Sequence, residues 1–194
     1  AARGHDARQH GHAHHHHRRY GVGPHVERRD AEKQALDEAR QAKRPVIAIL
    51  GRPYNSFTAD ANMGIPRKYT SRGYSVIPFD ILPFEDQSIY PNMYWYYGQQ
   101  DMKAGTLLKN EDNIFVTYIS NFSCAPDSFM LHYVKWIMGT KPFLVLELDS
   151  HTADAGLDTR IEAFLDIVDS FRRESPPAPV PRPARRYRVE TASQ

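Results

Sequence analysis

Four short apolar runs, spaced through the middle of the chain and separated by stretches with helical character, limit this sequence to very few folds. They are Pro45 to Gly51 (Pro-Val-Ile-Ala-Ile-Leu-Gly), Tyr74 to Phe79, Asn113 to Ser120 with Ile-Phe-Val-Thr-Tyr-Ile at its heart, and Pro142 to Leu148. A continuous apolar run stopped by glycine or a polar residue has the length of a strand and the pattern of one buried on both faces. The intervening segments have another period. Val26 to Lys43 is polar and rich in helix formers, Ile65 to Arg72 is stopped by Gly73, and Met93 to Leu108 sets Tyr94, Tyr97, Asp101, Gly105 and Leu108 on one stripe. Asp127 to Met138 is closed by Gly139, and Leu157 to Arg172 places Ile161, Phe164, Leu165 and Val168 on one side. Strands that alternate with helices are parallel neighbours, because a parallel pair needs a long crossover. The sequence therefore predicts an α/β domain, a flavodoxin/Rossmann-like parallel sheet of about four strands in the order 2-1-3-4, flanked by helices.

In such a sheet, ligands sit beyond the carboxyl ends of the strands, near the switch point between strands 1 and 3. The unusual residues of this chain fall at those ends. Strand 1 runs into Gly51-Arg-Pro-Tyr-Asn55, strand 2 into Phe79-Asp80-Ile-Leu-Pro83, strand 3 into Asn121-Phe-Ser-Cys124 and strand 4 into Glu147-Leu-Asp-Ser-His151. Cys124 is the only cysteine of the 194 residues and falls where strand 3 gives way to a helix. Backbone N–H groups and the positive end of a helix dipole favour a thiolate there, the form that attacks electrophiles or binds metal. The residues alone leave three uses for it: a buried inert thiol, a nucleophile, or a metal ligand.

A nucleophile needs a base within hydrogen-bond reach. Two histidines lie outside the N-terminal tract: His132, two turns into the helix that follows Cys124, and His151, at the end of strand 4. His151 is the better placed. A metal centre built from the chain alone is short of ligands, since structural zinc and iron-sulfur sites take about four. A dinucleotide fingerprint and a phosphate-binding P-loop are both missing: Gly51-Arg-Pro-Tyr-Asn55 has one glycine, and Pro53 removes an amide that a phosphate would use. Arg52 offers a planar fork for a carboxylate or phosphate.

A formal net charge of +2 gives no reason to expect a nucleic-acid partner. A single cysteine excludes an intrachain disulfide and points to a reducing, cytoplasmic compartment. No apolar run nears the ~20 residues of a membrane span. Three regions follow. Residues 1–25 hold eight of the ten histidines and almost no aliphatic residue, so they are expected to be a disordered tail, with imidazoles that suit transition metals. Residues 26–173 form the single α/β domain. Residues 174–194, with Pro-Pro-Ala-Pro-Val-Pro-Arg-Pro-Ala-Arg-Arg, read as an extended tail or linker.

Several blocks carry a family resemblance: Pro45-Val-Ile-Ala-Ile-Leu-Gly-Arg-Pro-Tyr-Asn55, Asn62-Met-Gly-Ile-Pro-Arg-Lys68, Gly73-Tyr-Ser-Val-Ile-Pro-Phe-Asp80 and Asn92-Met-Tyr-Trp-Tyr-Tyr-Gly-Gln99. Asn121-Phe-Ser-Cys-Ala-Pro-Asp-Ser-Phe129 and Glu147-Leu-Asp-Ser-His-Thr-Ala-Asp-Ala-Gly156 continue it. In order over residues 45 to 168, they resemble the activase-related domain of the large 2-hydroxyacyl-CoA dehydratase activator proteins, related to the 2-hydroxyglutaryl-CoA dehydratase family. That resemblance implies low-potential electron transfer and makes Cys124 a ligand of an iron-sulfur cluster, a [4Fe-4S] cluster above all. It has Asn121 and Ser123 donating to cluster sulfurs and Asp127 capping the helix; Arg52, Asn55 and His151, at the neighbouring strand ends, are read with Asn121 and Ser123 as the cofactor-binding residues. The ATPase half and further cysteines are not in the chain, so it looks like a domain or fragment without complete catalytic machinery. Its expected partners are other domains of a parent activator or a dehydratase subunit, with acyl-CoA as a further ligand. The rival expectations are a Rossmann-like binding module for acyl-CoA or a partner subunit, and a thiol enzyme using Cys124 and His151.

Overall fold

In a computed structural model of the chain, the residues described are 25–121, 124–149, 152 and 154–174. The chain runs α1 (His25–Gln41), β1 (Val46–Gly51), α2 (Pro53–Ser56), α3 (Ile65–Ser71) and β2 (Ser75–Pro78). A 3-10 turn at Phe79–Ile81 follows, then α4 (Tyr96–Leu108), β3 (Ile114–Asn121), α5 (Ala125–Met138), β4 (Phe143–Leu148) and α6 (Asp154–Glu174). The four strands form one parallel sheet in the order β2-β1-β3-β4. The predicted order and fold class are both found.

Side chains of a strand alternate between faces, and the sheet is a partition between two apolar layers. Ala48, Leu50, Val116 and Tyr118 point to the layer that α1, α4 and α5 fill with Leu36, Met102, Leu108, Met130 and Val134. Ile47, Ile49, Phe115 and Ile119 point to the other, filled from α3 and α6 by Ile65, Tyr69, Leu157, Ile161, Phe164 and Val168. All six residues of β1 are buried, as its unbroken apolar run requires. Each fully buried aliphatic side chain such as Ile47 contributes about 1.5–3 kcal/mol of transfer free energy.

The register fixes where the strand ends fall. Gly51 stands beside Ile119, and Asn121 beside Leu148, so the loops after β1, β3 and β4 open on one rim. From β1 the chain passes to β2 on one side, then crosses back over β1 to β3 on the other. The order reverses between β1 and β3, which leaves their carboxyl ends facing a common crevice.

Three local features differ from the sequence expectation. The helix expected from Met93 starts at Tyr96, because Trp95 is extended (φ −81°, ψ 126°) and Gln99 folds back to the carbonyls of Tyr90 and Met93 instead of leaving them to the helix. The loop after β1 holds a helical turn, α2, which Pro53 starts at its first position, where the missing N–H costs nothing. The helix after β3 starts two residues earlier than expected, at Ala125, with Pro126 in its first turn. The expected tails at 1–25 and 174–194 lie outside the described residues, Glu174 and the backbone of His25 apart.

Candidate functional site

Gly51 starts the site. Its φ of 125° is open only to glycine, and a Cβ there would stand 2.3 Å from the carbonyl oxygen of Ile119. The residue lets β1 press against β3 and turn at once, which throws Arg52 across the crevice. The Gly51 N–H donates to Asp101 Oδ1 at 3.1 Å, so a carboxylate from α4 holds the turn from below.

Arg52 Nη2 donates to Asp127 Oδ2 at 2.8 Å and also to Cys124 Sγ. Asp127 is 1% exposed and takes a second bond on the same oxygen, from the Asn121 N–H at 3.2 Å. Its role differs from the capping one the sequence suggested. The residue flanking α5 is Cys124, which makes no side-chain cap; Asp127 sits in the first helical turn and reaches back to the end of β3. There it ties strand to helix, and a carboxylate in that turn also complements the helix dipole.

Cys124 is half-buried. Its N–H donates to the Asn121 carbonyl at 3.1 Å and its own carbonyl accepts from Ser128 at 2.9 Å, which fixes the backbone on both sides of the thiol. The sulfur faces a guanidinium that is itself pinned by a buried carboxylate. The Arg52 guanidinium also lies over the Tyr54 ring, 4.9 Å from its centre. Burial pushes the Tyr54 hydroxyl above its ordinary range, against the pull of Arg52. Asn55, in the same turn, is 3% exposed, and its Nδ2 has no acceptor among the described residues. Arg52 Nε is likewise without an acceptor.

A second carboxyl lies beneath. Asp101 is 1% exposed, and burial pushes it up to about 7, opposed by the Gly51 N–H. Tyr118 donates to its other oxygen at 3.4 Å. Sequence reasoning placed Asp101 on the α4 stripe without giving it a role. The available signal was a charged residue on a helix face otherwise turned to the core.

The rim thus brings Arg52, Cys124 and Asp127 together, with Tyr54, Asn55 and Asn121 around them. His132 is exposed on α5. Ser123 and His151 lie outside the described residues. Among the described residues, no group of three or more His, Cys, Asp or Glu side chains is arranged to hold a metal ion. The donor set suits one ligand position, a thiol with a cationic hydrogen-bond donor on its sulfur, and does not make a complete coordination shell.

Fold and rim together define a parallel α/β domain with a thiol at its topological switch point. Over residues 17–82 the chain matches the family model described as the CoA enzyme activase uncharacterised domain, which supports the resemblance to an activase-related domain. The match takes in β1, the Gly51–Asn55 turn, α3 and β2, and ends before Cys124. No curated protein and no solved structure matches the chain. No helix among the described residues is long and apolar enough to cross a membrane.

Proposed function

We propose that this chain is an activase-related domain of a CoA enzyme system, and that its β1/β3 rim presents Cys124 as one thiolate ligand of a [4Fe-4S] cluster. The other ligands come from further domains of a parent activator or from a dehydratase subunit of the 2-hydroxyacyl-CoA type. The observation that carries this proposal is the half-buried Cys124 sulfur on the Arg52 fork, with Asp127 anchoring the fork from within. When bound, such a cluster supplies one-electron transfer at low potential.

The chain's own residues have separable tasks. Asp127 fixes the guanidinium. Arg52 donates to the sulfur, and a donor to a ligating thiolate withdraws charge from it and tunes the site. Asn121 and Asn55 line the same rim, and Ser123 and His151 are proposed to complete it. The location that fits this chemistry is a reducing, cytoplasmic one.

The test is anaerobic reconstitution of the whole chain with ferrous iron, sulfide and a small thiol that can fill the open coordination positions. The readout is acid-labile sulfide and the spin-resonance signal of the reduced cluster. Total iron is a poor readout, because the eight histidines of residues 1–25 also take up metal. The wild-type chain is expected to hold labile sulfide and Cys124→Ser to lose it. Equal sulfide in both, or none in the wild type, would overturn the proposal.

A further inference from the structure

α5 is apolar on nearly every side, and a helix of that kind is normally buried all round. Its one acidic residue, Asp127, is buried, and its other ionic side chains are His132 and Lys135. The face turned away from the sheet carries rings. Phe129, Tyr133 and Trp136 follow at i, i+4 and i+7, which sets them on one stripe at 100° per residue. Trp95, just before α4, widens it: its ring centre stands 5.4 Å from that of Phe129, which is 5.1 Å from that of Tyr133. Trp136 is 72% exposed, Phe129 44% and Trp95 41%. On the same count His132 and Lys135 fall to one side, so no charge stands within the stripe.

The thiol rim does not account for this surface. Trp136 lies about 18 Å along the helix from Cys124, so a partner seated on the thiol covers the first turn of α5 and leaves the most exposed ring of the stripe in water. At 150–250 Å² a ring, the exposed parts of Trp95, Phe129 and Trp136 amount to about 300 Å², and with the neighbouring Tyr94 to about 500 Å². A standard interface takes about 800 Å² from each partner, so the patch has the size of a small, weak contact between two proteins. We propose that it joins two copies of this chain, α5 against α5 in antiparallel sense about a two-fold axis near Tyr133. The stripe is its own complement: in that arrangement Phe129 of one copy lies beside the partner's Trp136, and the reverse, as a patch that meets itself requires. With no charge in the stripe, the two copies meet without like-charge contact. Both Cys124 rims stay open at opposite ends of the helix pair, and the contact is independent of any cluster.

Sedimentation velocity of the whole chain over a range of concentrations tests it, with a reductant and a chelator so that neither Cys124 nor the histidines of residues 1–25 can bridge two copies. A reversible monomer–dimer equilibrium is expected, with a micromolar or weaker constant for an interface of this size. Trp136→Glu removes a ring twice per dimer and should weaken association by about a hundredfold or more, with circular dichroism to show that the variant is folded. Phe129→Ser should weaken it too. Ile167→Glu, at an exposed apolar position on α6, and Cys124→Ser should both leave it unchanged. A wild-type monomer at about 1 mM chain would overturn the proposal, and the stripe would then belong to a different protein. A dimer that survives Trp136→Glu, or that Ile167→Glu or Cys124→Ser weakens as much, would overturn it as well, because the contact would lie elsewhere.

Discussion

Arg52, the first residue after β1, and Asp127, in the first turn of α5, form an ion pair of 2.8 Å across the gap between the two central strands. Asp127 is almost fully buried and the Arg52 side chain is 23% exposed, so the pair is shielded more on one side than the other. Asp127 also accepts from the Asn121 N–H. One carboxylate therefore fixes the arginine on the thiol, the end of β3 and the start of α5.

Replacing Asp127 by alanine is expected to cost about 2–4 kcal/mol, because a guanidinium and a backbone N–H lose their acceptor together. Urea unfolding of the variant should show a lower midpoint at unchanged slope. Asp127→Asn, which keeps an acceptor oxygen, should cost less. A loss below about 0.5 kcal/mol for alanine, the range of ordinary surface changes, would mean that the pair does not hold the rim together.

Asp101 makes stability depend on pH in the opposite sense from a salt-bridged carboxylate. Its folded value of about 7 lies above the ordinary 3.8, so between those values the folded chain holds a proton that the unfolded chain has lost. Stability from this group is fully present below about pH 4 and is lost as pH rises through 7, by up to about 4 kcal/mol for a shift of this size. Asp101→Asn keeps an acceptor for Gly51 and cannot ionise. Its stability, measured by urea unfolding from pH 4.5 to 8, should lack this decline, and the variant should exceed the wild type at pH 8.

Gly51→Ala and Gly139→Ala form a matched pair. Both glycines have positive φ, but a Cβ at Gly139 meets nothing within 4 Å, while one at Gly51 runs into the Ile119 carbonyl. Gly139→Ala should cost about 1–3 kcal/mol, the strain of its backbone (φ 59°, ψ −115°) alone. Gly51→Ala should cost roughly 3 kcal/mol or more, since β1 and β3 must part. Thermal unfolding of the two variants side by side distinguishes these values.

Lys141 is buried behind α4, where its ammonium donates to the Leu108 carbonyl at 2.6 Å and to the Glu111 carbonyl. Burial lowers it from 10.5 to about 8. The folded chain therefore gives up this proton before the unfolded chain does, and the contribution of Lys141 to stability should rise between pH 8 and 10.5. Lys141→Met should remove that rise and leave two carbonyls without their donor, at about 1–3 kcal/mol. Unfolding at pH 8 and pH 10 checks both effects.

The frame of the molecule was legible in the residues because burial on both faces leaves a one-dimensional trace. Val46-Ile-Ala-Ile-Leu50 has no polar position, and strands of that kind are parallel and central. Gly73 and Gly139 end their helices as expected, both with positive φ. The site was legible only in part. Cys124 and Arg52 stood out by residue type and by their place after a strand. Their partner Asp127 read as a helix cap, and Asp101 as one polar position on a stripe. An acidic residue in a first helical turn nearly always serves the helix, and no local pattern separates that role from a bond to a strand end.

What the sequence by itself determined is therefore the layer structure, the strand order and the rim on which the thiol falls, since hydrophobic period and chain connectivity suffice for these. The tertiary structure alone decided that Gly51, Arg52, Asp101 and Asp127 act on one another. Those residues are separated by up to 76 positions in the chain, and their hydrogen bonds exist only once β1 and β3 lie side by side. Electrostatic contacts of a few ångströms are set by the packing of whole elements, and no periodicity in the chain encodes them.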